Sequence, residues 1–145
     1  ASLAHAMQHH STYHFSGTLL SPQRQLQIAI DILRITHDRF TQRATATLSF
    51  LSSQLPHIRR ADIQQTIIRL LHGGLLISTP IKGEEAFMPA TTADATTTSE
   101  VIMLILGNEP AYPSVGGTLA KQAVDAAAQT VNMPMGKCAE LRDDQ

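Results

Sequence analysis

Apolar positions recur at helical spacing in the stretch around which the chain is organised. Ile63, Ile67, Leu70 and Leu71 fall at i, i+4, i+7 and i+8, one face of a helix, while Arg60, Gln64, Arg69 and His72 lie largely off that stripe. Gly73-Gly74 stops the helix, because glycine tolerates the left-handed conformation that a helix C-terminus commonly needs. Two short apolar runs, 75–79 and 86–90, flank a polar segment containing Lys82-Gly83, the pattern of two strands and a hairpin loop. A helix, a tight stop and a hairpin make the second half of a winged helix-turn-helix. The predicted fold class is therefore mostly α with a small β-hairpin.

Upstream, Ser21-Pro22 predicts a helix start, with Ser as the cap and Pro at the first helical position. The periodicity continues over 23–40. Leu26, Ala29, Ile30, Leu33, His37 and Phe40 form one stripe, and Ile28, Ile32 and Ile35 form a second. A helix apolar on two sides is covered on two sides: both stripes read first as core, with Ile28, Ile32 and Ile35 as candidate interface residues for a second copy of the chain or another domain. His37 reads as a core histidine. Residues 44–55 predict a short helix ended by Pro56, and the 59–72 helix follows after the Pro56-His57-Ile58 turn, which is helix-turn-helix spacing. Beyond the hairpin, Thr97 and Glu100 have capping-box spacing ahead of the apolar run Val101–Leu106, which predicts a helix stopped at Gly107-Asn108. Residues 118–131 read as a modest amphipathic helix, and the chain from Met133 onward as a frayed tail.

Composition narrows the chemistry. The chain has 145 residues, 43% of them hydrophobic but only 4% aromatic and none Trp, enough for one domain whose core is aliphatic. A formal net charge of -1 provides no global field for nucleic acid, whose non-specific affinity comes from phosphate neutralisation. In a DNA reader Arg59, Arg60, Gln64 and Gln65 would face the groove, and Lys82 would sit on the wing. Glu84 and Glu85 oppose that Lys, so nucleic acid is disfavoured as a partner on charge alone. Cys138 is the only cysteine, which excludes an intrachain disulfide and a cysteine metal cage. His5, His9, His10 and His14 pair at one-turn spacing, but the two pairs point in different directions and no metal site is assigned. The carboxylates Asp31, Asp38, Asp62, Glu84, Glu85 and Glu100 lie at no spacing that groups them. No catalytic residue, cofactor or small-molecule ligand is assigned.

Several short motifs occur in order: residues 2–8 in helical composition, Tyr13-His14-Phe15, Leu20-Ser21-Pro22, Gly74-Leu75-Leu76, Phe87-Met88-Pro89-Ala90 and the helix from Thr97 to Ile102. Over residues 2–107 the chain resembles the C-terminal cytosolic region of YihY/BrkB-type inner-membrane proteins, a family that carries the label ribonuclease BN-like. The resemblance implies three parts: a segment 1–17 continuing from a transmembrane region, a winged helix over 18–107, and a loop, helix and tail over 108–145. It also implies a place on the cytoplasmic face of the bacterial inner membrane, with the protein's own transmembrane domain as partner and a second copy as a candidate. The function expected on this reading is a non-catalytic interaction module. A winged-helix DNA-binding transcription regulator is the alternative, and a part of a ribonuclease is a third, for which no acid-base or metal-binding set stands in the sequence.

Overall fold

The computed structural model describes residues 19–92, 95–107, 109–110 and 112–141. The 1–17 segment and its four histidines lie outside the described residues, as does the end of the chain after Leu141.

The elements run α1 (Pro22–Thr41), β1 (Ala46–Thr47), α2 (Leu48–Gln54), α3 (Arg60–His72), β2 (Leu76–Ile81), β3 (Glu84–Pro89), α4 (Thr98–Leu106), α5 (Val115–Thr130) and α6 (Met135–Leu141). This is a winged helix-turn-helix, mostly helical with a small antiparallel sheet. Helix α1 begins as its sequence predicts: the Ser21 hydroxyl accepts from the Arg24 amide at 3.1 Å, and Pro22 occupies the first turn. The turn after α3 also follows its glycines. Gly74 takes φ +76, and the Gly74 and Leu75 amides donate to the Leu71 and Leu70 carbonyls at 3.2 and 3.0 Å. Helix α1 ends in the same geometry with no glycine. There Arg43 holds φ +58, and the Arg43 and Ala44 amides reach the Phe40 and Arg39 carbonyls at 2.9 Å each.

The sheet has the order β1-β3-β2. Strands β2 and β3 pair in register from Leu76↔Pro89 to Ile81↔Glu84, joined by Lys82 (φ +54) and Gly83 (φ +78). That two-residue turn matches the strand twist, so the hairpin is longer and tighter than its apolar runs suggest. Strand β1 takes two residues from the expected 44–55 helix, pairing Ala46↔Phe87 and Thr47↔Ala86. Thr47 then caps α2 by accepting from the Phe50 amide at 3.1 Å.

Of the two readings of the second stripe, core holds and the interface is corrected. Ile28 and Ile32 are 0% exposed and Ile35 is 6% exposed, all three within the main core. Helix α1 is the central element, packed against α3, α4, α6 and β3. The second apolar stripe is covered by this chain's own elements and offers nothing to a partner. Leu26 and Ile30, of the first stripe, are the partly buried ones.

The C-terminal stretch also differs from the expected tail. Thr97 bridges to Pro134, the Thr98 amide donates to the Met133 carbonyl at 2.9 Å, and the Met135 amide donates to the Thr96 carbonyl at 2.8 Å. Met135 (2% exposed) and Cys138 (8%) join the core as α6 closes on α1. Helix α5 packs chiefly on α4. It begins a turn earlier than its apolar pattern, capped by Ser114, whose hydroxyl accepts from the Gly117 amide at 3.0 Å. A Cβ at Gly117 would stand 2.2 Å from the Tyr112 carbonyl oxygen, so only glycine lets the loop before α5 lie this close.

Candidate nucleic-acid interface

The helix-turn-helix is α2, the turn over residues 55–59, and α3. Leu55 (4% exposed) and Ile58 (7%) turn inward, and the Ile58 amide donates to the Leu55 carbonyl at 3.1 Å, which pins the turn to the core. Ile63, Thr66, Ile67 and Leu70 of α3 are buried, and Ile63 and Leu70 are 0% exposed. The predicted core stripe is therefore correct in α3, with Leu71 half-buried beside it. The opposite face presents Arg60, Ala61, Gln64, Gln65 and Ile68 to solvent.

The cations at the start of α3 are positioned by neighbours. The Arg59 guanidinium forms a two-point pair with the buried Asp62 carboxylate, Nη2 to Oδ1 at 2.8 Å and Nε to Oδ2 at 3.1 Å. This contact pushes the Arg59 pKa above its ordinary value, through the hydrogen bond first and the charge second. Asp62 lies in the first helical turn, where a negative charge also suits the helix dipole. Arg60 Nη2 reaches Ser49 Oγ on α2 at 3.4 Å, aligning a second cation over the turn.

Arg69, placed by its spacing among the residues off the buried stripe, instead spans two elements. Its Nη2 donates to the Leu104 carbonyl at 2.8 Å and to the Ile105 carbonyl at 3.4 Å, and Nη1 to Gln25 Oε1 at 3.4 Å. The guanidinium thus satisfies the C-terminal carbonyls of α4, where a positive charge is favoured. It also ties α3 to α1 and α4.

The wing tip presents Lys82, Glu84 and Glu85, all exposed. Among the sequence-predicted contacts, Arg59, Arg60 and Gln64 share the start of one helix, while Lys82 stands apart on the hairpin. Sequence reasoning missed Ile68, an apolar residue 47% exposed on the polar face. The readable signal is its place one turn after Gln64, outside the buried stripe.

Elsewhere, His37 is 5% exposed, its Nε2 has no hydrogen-bond partner among the described residues, and burial holds its pKa below the usual histidine value against the opposing charge of Asp38. A half-open cleft of about 380 Å³ lies between α4 and α5, lined by Met103, Leu106, Tyr112 and Val124. Among the described residues no three His, Cys, Asp or Glu side chains are grouped as metal ligands would be, and no helix is long and apolar enough to cross a membrane.

No protein-family model matches the chain, and no curated protein does. Nothing in these comparisons connects it with the YihY/BrkB family. Solved structures do match. CymR of Staphylococcus aureus is similar at 16% identity and TM-score 0.60, over 80% of this chain and 95% of that one. IscR of T. potens is similar at 13% identity and TM-score 0.62, over 90% of each chain. CymR (YrzC), described as the global cysteine regulator of B. subtilis, is similar at 15% identity and TM-score 0.59, over 86% of this chain and 98% of that one. These likenesses correct two expectations, the interaction module of a membrane protein and nucleic acid as an unlikely partner. Among the motifs behind the first, Gly74-Leu75-Leu76 is a helix stop and Phe87-Met88-Pro89-Ala90 a strand end, which the winged helix requires whatever it is attached to. Net charge averages over the whole surface and does not describe one face, and Arg59 and Arg60 stand together at the start of one exposed helix. What the described residues share with CymR and IscR is the fold, that of winged-helix regulators.

Proposed function

We propose that this chain is a DNA-binding transcription regulator in which α3 is the recognition helix, lying in the major groove, with the β2–β3 hairpin beside it as the wing. The observation that carries the reading is the exposed face of α3: Arg60, Ala61, Gln64 and Gln65 project from the first two turns of the second helix of a helix-turn-helix, where such proteins present their base-contacting residues. Arg60, set against Ser49 of α2, is placed to meet a phosphate as the helix enters the groove. The likeness to CymR and IscR along nearly their full lengths supports the same reading.

Titrating the whole chain against duplexes selected from a random pool, at several salt concentrations, tests it. Specific complexes should form with dissociation constants on the order of 10⁻⁸ M or tighter at physiological salt. Arg60→Ala should weaken binding to all sequences alike and make the salt slope shallower by about one. Absence of any selected sequence, with the fold intact by circular dichroism, would remove the proposal.

A further inference from the structure

Resting on that reading, we infer that the α3 face made by Gln64, Gln65 and Ile68 selects A·T base pairs, the glutamine amides reading adenine and Ile68 the thymine methyl group. The three side chains sit together one to two turns into the helix, past the cations. Gln64 and Ile68 are a full turn apart on one line, with Gln65 beside them. Neither glutamine makes a side-chain hydrogen bond within the described residues, so both amides remain able to donate and accept at once. Adenine offers that pair of functions at N6 and N7 on its major-groove edge.

Guanine recognition calls for a guanidinium or ammonium facing O6 and N7. The arginines of α3 and its cap are placed elsewhere: Arg59 is held on Asp62 before the first turn, Arg60 leans to Ser49, and Arg69 turns into the protein toward Leu104. Ile68 is 47% exposed, the one large apolar side chain on this face. Its branched methyls suit the C5-methyl of thymine, the one apolar feature of the major-groove floor. Exposed Ala61, between Arg60 and the glutamines, adds no bulk that would hold the helix off the bases.

The experiment is selection of bound duplexes from a random pool by the whole chain, followed by affinity measurements on the selected site and its single-base variants. A·T pairs should fill two or three adjacent positions of the selected site. Gln64→Ala and Gln65→Ala should each reduce discrimination at one of those positions by roughly 5- to 150-fold and leave the others unchanged. Ile68→Ala should weaken binding to the thymine duplex, and replacing those thymines with uracil should weaken the unaltered chain similarly while leaving Ile68→Ala indifferent. All three positions are exposed, so circular dichroism should report an unaltered fold. G·C pairs at those positions, or discrimination that survives all three substitutions, overturns the A·T assignment while the regulator reading stands. A folded chain that selects no duplex overturns both.

Discussion

Replacing Arg69 by Met should destabilise the domain by about 2 kcal/mol, and the reason lies in three acceptors on two other elements. Methionine keeps the length of the arginine stem and removes its donors. The Nη2 bond to the Leu104 carbonyl at 2.8 Å is charge-assisted, and such bonds contribute roughly 1.5–3 kcal/mol each. The contacts at 3.4 Å to the Ile105 carbonyl and Gln25 Oε1 are long and add only a few tenths. Gln25 is 7% exposed, so the acceptor left behind is poorly solvated. Against an m-value of about 2 kcal/mol/M, the urea midpoint should fall by about 1 M. Arg69→Lys should recover part of the loss, since one ammonium can reach a carbonyl but cannot span three acceptors. An Arg69→Met midpoint indistinguishable from the unaltered chain would refute the view of this residue as a strut between α3, α1 and α4. Because the strut sets the angle of the proposed recognition helix, Arg69→Met should also weaken selected DNA more than random DNA.

Three further outcomes follow from the geometry. Ile32→Glu puts a carboxylate at a position with no exposure and should abolish cooperative unfolding, read by circular dichroism; a folded variant altered only in self-association would restore the interface assignment rejected above. His37 has its folded pKa below the unfolded value, so the neutral ring is favoured on folding and its contribution is present above about pH 6.5 and lost as pH falls toward the folded pKa; His37→Leu should flatten that part of the stability profile, and an unchanged profile would show that His37 does not titrate on unfolding. Glu85→Lys on the wing replaces a repelled charge with an attracted one and should tighten duplex binding with a salt slope steeper by about one, whereas no change would place the wing away from phosphate.

What the sequence discloses divides by the range of the interaction. Ser21-Pro22, Gly73-Gly74 and the Thr97 cap act within a turn of themselves, so α1, the end of α3 and the start of α4 are readable residue by residue. Strand β1 exists only because β3 lies opposite, and two residues carry no periodicity. Arg43 ends α1 in a conformation usually left to glycine, and the chemistry of its neighbours does not announce it. Burial of Ile28, Ile32 and Ile35 depends on elements that arrive from far along the chain to pack on α1, so from the sequence the second apolar stripe reads as core or as interface. At the candidate site Arg59, Arg60 and Gln64 are readable because a buried stripe fixes which face is left over. The inward turn of Arg69 is not, because its acceptors are backbone carbonyls of α4, which side-chain spacing does not reveal.

The join at Thr97 and Pro134 gives the C-terminal half a topology of its own. The chain leaves the core at the end of α4, runs out along α5 and returns beside the point where α4 began, its Thr98 hydroxyl bonded to the Val131 carbonyl. The excursion is thus an insert with both ends held, and α6 docks on α1 whatever the length of the outer arm. Closure entropy rises only by about 0.6 kcal/mol for each doubling of a loop. A fold built this way can lengthen, shorten or re-side its outer helix while the half that carries α3 keeps its shape, so the two halves are free to diverge at different speeds.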